Sequence, residues 1–345
     1  MDESDVMERL RRVEDPDLGD DIVSLSLVNE VTLEDGTVRI SLALGAPYAP
    51  AETAIADRVR EVLADTGLEI ELTARVDTGV AAQDDILADV KNVVAVASGK
   101  GGVGKSTVAV NLAAGLADRG ARVGLFDADV YGPNVPRMVA ADEAPQATES
   151  GGIVPPERFG VKLMSMAFLV DEDDPIIWRG PMVHKVITQL TEDVEWGPLD
   201  YLVLDLPPGT GDTQLTVLQT MPLTGALIVT TPQTVAVDDA RKALRMFGRH
   251  ETTVLGIAEN MATFVCPDCG AEHDIFGSGG GEAFAEEVEM PFLGSIPLDP
   301  AIRTAGDGGD PVVLGEGRVG EAFRDLTGRV ADAVGIVHRR AVSSR

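Results

Sequence analysis

One stretch constrains the fold of this chain more than any other: residues 92–107, NVVAVASGKGGVGKST. An apolar, β-branched run ends in a glycine-rich loop, and a helical pattern begins at Lys105. In that context the frame G-x-x-x-x-G-K-S, from Gly99 to Ser106, is a phosphate-binding loop. Gly99, Gly101, Gly102 and Gly104 let the backbone N–H groups around Val103 turn inward onto phosphate oxygens, aided by the positive end of the following helix. Lys105 is expected to meet the β- and γ-phosphates of a nucleoside triphosphate. Ser106, with Thr107 beside it, is expected to face the Mg²⁺. The loop also carries a second lysine, Lys100, which this chemistry does not require.

From Asn92 onward, short β-branched runs (NVVAVAS, ARVGLFD, VKLMSMA, DYLVLDL, GALIVTT, TVLGIAE, PFLGSI) alternate with helical patterns. That alternation predicts an α/β P-loop NTPase fold, a mostly parallel sheet covered by helices on both faces. Residues 1–76 read as a small α/β domain of their own, with strands at Ile22–Leu33, Val38–Leu44 and Leu68–Val76 and a helix at Glu52–Asp65. Residues 77–91 read as a linker and 92–345 as the ATPase domain, which includes a closing helix with Val319, Phe323, Leu326, Val330, Val334 and Val337 on one face.

The chain has 345 residues, enough for two cores. Its 57 acidic residues against 28 basic ones give a formal net charge of -29, which opposes binding to nucleic acid or to an anionic membrane. So acidic and lysine-poor a surface reads as halophilic, adapted to concentrated salt, where ions screen like-charge repulsion. The opening MDESDVMERL lacks the pattern of a signal peptide and no apolar run is long enough to span a bilayer, so a cytoplasmic protein is expected.

A nucleotide-bound magnesium also needs a carboxylate at the end of a neighbouring strand, and YLVLDLPPGTGD supplies Asp205 there, followed by a stiff Pro207-Pro208-Gly209 turn. LFDADVYGPN brings Asp127 and Asp129 to the end of another strand. Either could hold local backbone, and Asp129 is the better candidate to orient an attacking water. The only two cysteines, Cys266 and Cys269, stand in CPDCGAEH, with His273 close behind. A C-x-x-C pair is compatible with a redox pair, half a zinc site or half the ligands of an iron-sulfur cluster. The GSGGGE stretch after it suits a mobile loop.

KGGVGKST, FDADVYGPNVP and LDLPPGTGD together resemble the deviant Walker A ATPases, the group of MinD and ParA. The match narrows with IIWRGPM, TPQTVAVDDARKAL, GIAENM, CPDCG and LGSIPLDPAIRTAGDGGDPVV, which resemble the Mrp/ApbC iron-sulfur cluster carriers. The resemblance implies a role for Lys100, reaching the partner's ATP across a homodimer. It also implies that Asn260 binds adenine and that Cys266 and Cys269 hold a cluster, 4Fe-4S by type, shared between two subunits. VEDPDLGDDIVSLSLVNEV resembles the cluster-assembly-associated domain found at the N-terminus of many such carriers. That domain often has a P-x-C-P turn, whereas this chain reads PYAP, with Ala49 in the thiol position.

The resemblance therefore implies an ATP-binding carrier with slow ATP hydrolysis, whose partners are a second copy and recipient apoproteins. Two other functions share the P-loop: a ParA- or MinD-type positioning ATPase, which would not explain CPDCG, and a zinc-stabilised metabolic ATPase, which would not explain Lys100. Trp178 and Arg179 read as packing residues, and His184, His250 and His338 as ordinary helix or surface residues.

Overall fold

The computed structural model describes residues 2–76, 87–149, 151–169, 180–266 and 269–344. Most of the expected linker, with Trp178 and Arg179, lies outside the described residues. Contacts divide the chain into two compact units, Met1–Gln83 with Ala331–Arg345, and Asp84–Val330.

In the first unit α1 (Glu3–Leu10) begins on a capping box, in which Asp2 accepts from Asp5 N and Asp5 answers to Asp2 N. Strands β1 (Val28–Glu34) and β2 (Thr37–Leu42) form an antiparallel hairpin. After α2 (Pro50–Leu63), β3 (Glu69–Ala74) pairs parallel to β2. Val6, Leu10, Ile40, Leu42, Ile55, Val59 and Leu63 close the core. The first strand is shorter than the sequence suggests, because residues 22–26 are turn. Asp21 Oδ1 accepts from Val23 N at 3.0 Å and Ser24 N at 2.9 Å, so a local side-chain cap replaces ladder bonding. Ile22 and Leu27 are buried all the same.

The second unit runs β4 (Val93–Ser98), α3 (Lys105–Asp118), β5 (Val123–Asp127), α4 (Val135–Met138), the hairpin β6 (Gln146–Ala147) and β7 (Ile153–Val154), β8 (Glu157–Arg158), β9 (Val161–Ser165) and α5 (Gly180–Asp193). It continues with β10 (Tyr201–Asp205), α6 (Asp212–Thr220), β11 (Gly225–Thr230), α7 (Thr234–Arg249), β12 (Val254–Glu259), the hairpin β13 (Phe264–Val265) and β14 (Glu272–His273), α8 (Gly280–Glu287), β15 (Phe292–Ser295), α9 (Pro300–Gly308) and α10 (Arg318–Ser343). Its main sheet has the order β15-β12-β11-β4-β10-β5-β9-β8, parallel throughout except for β8. Helices flank this sheet, and Val93, Ala95, Leu202, Leu204, Ile228 and Ile257 stand in its core. Because β10 lies between β4 and β5, the glycine loop, Asp205 and Asp127 reach the same carboxyl end of the sheet, where α/β folds bind ligands.

The closing helix departs from the expected boundary. Val319, Phe323, Leu326 and Val330 are buried in the second unit, but Ala331–Arg345 groups with the first. Arg339 is fully buried there, its Nε 2.7 Å from Asp15 Oδ2, with Asp17 Oδ2 and Glu52 Oε1 on its other nitrogens. His338, read as an ordinary helix or surface residue, is also buried. A Cβ on Gly45 would lie 2.5 Å from its Cγ, so this turn accepts only glycine.

Candidate functional site

The glycine loop is shaped by close approach. A Cβ on Gly99 would stand 2.0 Å from the backbone carbon of Asp239 on α7, and one on Gly104, at φ +81°, would stand 2.1 Å from Asn260 Nδ2. Gly102, at φ +80°, likewise uses the left-handed region. Gly101 is exposed and Val103 buried. Lys105 leads α3 from a buried position, with Nζ bound to Asp205 Oδ1 and 3.3 Å from Ser106 Oγ. Asp205 is itself buried, which pushes its carboxyl pKa up against the opposing pull of Lys105. Its second oxygen, Oδ2, has no hydrogen-bond partner among the described residues.

Asp127 lies opposite Asp205 in the sheet register. It accepts from Asp129 N at 3.1 Å, Val135 N at 3.2 Å and Ser165 Oγ at 3.0 Å. Burial first, and then the neighbouring Asp205, push its carboxyl up to about 7. Asp129 accepts from Tyr131 N at 3.2 Å and Gly132 N at 3.3 Å. Both aspartates thus brace the loop after β5, and Asp129 also lines a cavity of about 450 Å³ with Pro207, Pro208, Thr213 and Gln214.

A second cavity, of about 530 Å³, opens beside Gly104, Ser106 and Thr107 and is walled by Arg137, Asn260, Met261 and Arg303. Its size suits a nucleoside. Asn260 stands in this wall, and its amide donates to Val103 O at 2.8 Å, so it also braces the glycine loop. Lys100 is half-buried. Its carbonyl accepts from Ser98 Oγ at 3.0 Å, and its ammonium has no ion pair among the described residues.

The cysteines sit at the tip of the β13–β14 hairpin. Cys266 N donates to Ala271 O at 2.9 Å and Gly270 N to Cys266 O at 2.8 Å, closing a tight turn. Cys266 is half-buried and Cys269 exposed, and neither is in a disulfide. His273 pairs across the hairpin with Phe264, ring centroids 6.4 Å apart. Among the described residues, no group of three or more His, Cys, Asp or Glu side chains could hold a metal. Two residues that the sequence did not single out support these loops. Buried Glu259 accepts from Gly281 N at 2.6 Å, anchoring α8 at the end of the GSGGGE stretch. Gln214 donates to Pro207 O at 2.6 Å. A polar residue at a strand end, as Glu259 is, or in the first turn of a helix, as Gln214 is, carries no distinctive sequence signal, so only the fold exposes either contact.

Residues 89–331 match the family described as NUBPL iron-transfer P-loop NTPase, and residues 3–71 match that described as iron-sulfur cluster assembly protein. The chain is 44% identical over 321 residues to an iron-sulfur cluster carrier protein of Synechocystis, covering 90% of this chain and 91% of that one. It is 47% identical over 244 residues to an Arabidopsis thaliana iron-sulfur protein required for NADH dehydrogenase, covering 70% and 78%. A solved nucleotide-binding protein of Archaeoglobus fulgidus, in complex with ADP, superposes with a TM-score of 0.61 at 38% identity, covering 72% of this chain and 98% of that one. The cell division ATPase MinD of Pyrococcus furiosus shares the fold at 24% identity and a TM-score of 0.53, over 70% and 98%. With its glycine loop, strand-end carboxylates and cysteine hairpin all inside the matched region, the chain belongs to the NUBPL-type iron-transfer P-loop NTPases, the family of iron-sulfur cluster carriers.

Proposed function

We propose that this protein binds ATP at the glycine loop, hydrolyses it slowly, and carries an iron-sulfur cluster between two subunits for transfer to apoproteins. The observation that carries the reading is the cysteine hairpin: Cys266, half-buried, and Cys269, exposed, stand outside any disulfide, with no cluster of three or more metal-ligating side chains among the described residues. A 4Fe-4S cargo wants four thiolates, and two copies supply them. The Arabidopsis and Synechocystis relatives, by their names, support an iron-sulfur role, and the ADP-bound Archaeoglobus protein supports a nucleotide at this fold's loop.

In this reading the phosphates draw Lys105 away from Asp205. Mg²⁺ fits the residues present, because Asp205 keeps a buried oxygen without a partner close to Ser106. Ser106 and Asp205 would hold it, and it would supply neutralisation of phosphate charge. The glycine-loop N–H groups bind the phosphates, the cavity beside Thr107 and Asn260 takes the nucleoside, and Asp129 orients the attacking water. Lys100, with no ion pair among the described residues, reaches the partner's nucleotide. Val319, Phe323, Leu326, Val330 and Val334 of α10 are buried, which weighs against that face acting as a membrane-binding helix of the MinD kind, and no described helix is long and apolar enough to cross a membrane.

The test is anaerobic reconstitution with iron, sulfide and zinc analysis, coupled to mass measurement in solution. About one 4Fe-4S cluster per dimer is expected, lost in Cys266→Ala and Cys269→Ala while ATP binding stays. Lys100→Ala should keep cluster and lose ATP turnover. One zinc per chain without sulfide would instead favour a structural metal.

A further inference from the structure

The side chain of Gln214 is used on one end only. It belongs to the first turn of α6 and is 1% exposed. Nε2 donates to Pro207 O at 2.6 Å, which ties α6 to the turn that follows Asp205. The other end, Oε1, is buried and has no hydrogen-bond partner among the described residues. Native interiors leave few polar atoms in that state, and those that persist commonly await a ligand or a water. Gln214 also lines the roughly 450 Å³ cavity together with Asp129, Tyr131, Gly132, Pro207 and Pro208. The residue whose acceptor oxygen lacks a donor therefore shares a cavity wall with the carboxylate assigned to the attacking water.

We infer that Gln214 is a second catalytic residue for ATP hydrolysis, its Oε1 accepting a hydrogen bond from the attacking water while Asp129 accepts the other. This rests on the ATPase reading above and deepens it. A water with both hydrogens held has its lone pairs free for phosphorus. The water oxygen bonds to the γ-phosphorus as the bond from that phosphorus to the β,γ-bridging oxygen breaks. ADP leaves, and the water's proton passes to the Asp129 carboxylate and on to the released phosphate. Gln214 neither gains nor loses a proton; its amide only orients, as a glutamine does for the attacking water in other P-loop NTPases. The bond to Pro207 O sets the amide plane, so the turn after Asp205 fixes where Oε1 stands.

Two variants separate this role from a structural latch. Gln214→Met keeps the volume but has no acceptor oxygen, whereas Gln214→Glu keeps an oxygen at the same reach. Both lose the amide donor to Pro207. In the full chain with ATP and Mg²⁺, Q214M should lower kcat at least tenfold, with the Kd for ATP within twofold of wild type; since both variants lose the donor to Pro207 O, their melting temperatures should fall alike. Q214E should recover most of the lost kcat. If both variants are equally slow, or if Q214M weakens ATP binding as much as it slows turnover, the residue is a latch and the inference fails. Wild-type-like turnover in Q214M overturns it too. Wild-type protein that binds ATP without turning it over would remove the ATPase reading itself, a separate failure.

Discussion

Lys105 in the nucleotide unit and Arg339 in the N-terminal unit are both buried cations among more carboxylates than one charge can neutralise. Arg339 faces Asp15, Asp17 and Glu52, and spends its fork on all three. The carboxylates are also used elsewhere: Glu52 accepts from Gly45 N at 3.1 Å and Ala46 N at 2.9 Å, and Asp15 from Asp17 N at 2.8 Å and Leu18 N at 3.0 Å. Lys105, a point charge, binds Asp205 and leaves Oδ2 of that carboxylate unmatched, with cavities along the neighbouring loops. The ingredients are similar and the surroundings are not: Arg339 is enclosed by three carboxylates, its Nε and Asp15 Oδ2 forming an ion pair at 2.7 Å without hydrogen-bond geometry, whereas the loops beside Lys105 and Asp205 line cavities. An enclosed cluster holds a turn and a helix end in place, whereas one beside a cavity has room for a ligand.

The largest effect should come from breaking the enclosed cluster. Arg339→Met leaves three carboxylates facing one another without their cation and should destabilise the N-terminal unit by about 3–5 kcal/mol. Urea unfolding would read that loss, and ATP binding by the other unit should persist. A cost below about 1 kcal/mol would erase the distinction between the two sites.

Lys105→Ala tests the other side. ATP turnover should fall about 10²–10³-fold as the cation at the phosphates is lost. Folding stability should move by less than about 1 kcal/mol, because Asp205, already pushed toward its neutral form by burial, can take up a proton. Turnover assays paired with thermal melts check both halves. A large stability loss would make Lys105 a structural cation like Arg339.

The smallest effect is a pH dependence. Burial raises the Glu52 carboxyl from 4.5 to about 7. Between those values the folded chain holds a proton that the unfolded chain has released, so stability is fully present below pH 4.5 and falls as pH rises toward 7. The loss is at most about 3 kcal/mol. Glu52→Gln should flatten this part of the stability profile, measured by denaturant midpoints across the range, while leaving any contribution from Asp127. A profile that rises through the same window would reverse the assigned sign.

Much of the geometry around the glycine loop was readable because its pattern is local. A glycine loop between a strand and a helix, and a carboxylate at a strand end, are each set by a few adjacent residues, and the parallel topology then brings Asp205 and Asp127 alongside the loop. The cysteine hairpin was readable as a motif but not as a ligand set, since nothing in CPDCGAEH says that His273 pairs with Phe264 across the strands.

Sequence by itself determined the alternation of strands and helices, the P-loop, and the pairing of that loop with a cysteine motif, all of them patterns of spacing within short windows. Only the tertiary structure decided that Arg339 belongs to the N-terminal unit, hundreds of residues after Asp15, and that Gln214 and Asp205 each keep a buried oxygen without a partner. Pairing and burial depend on what long-range packing brings near, and spacing along the chain does not encode which polar atoms are left over once the core has closed.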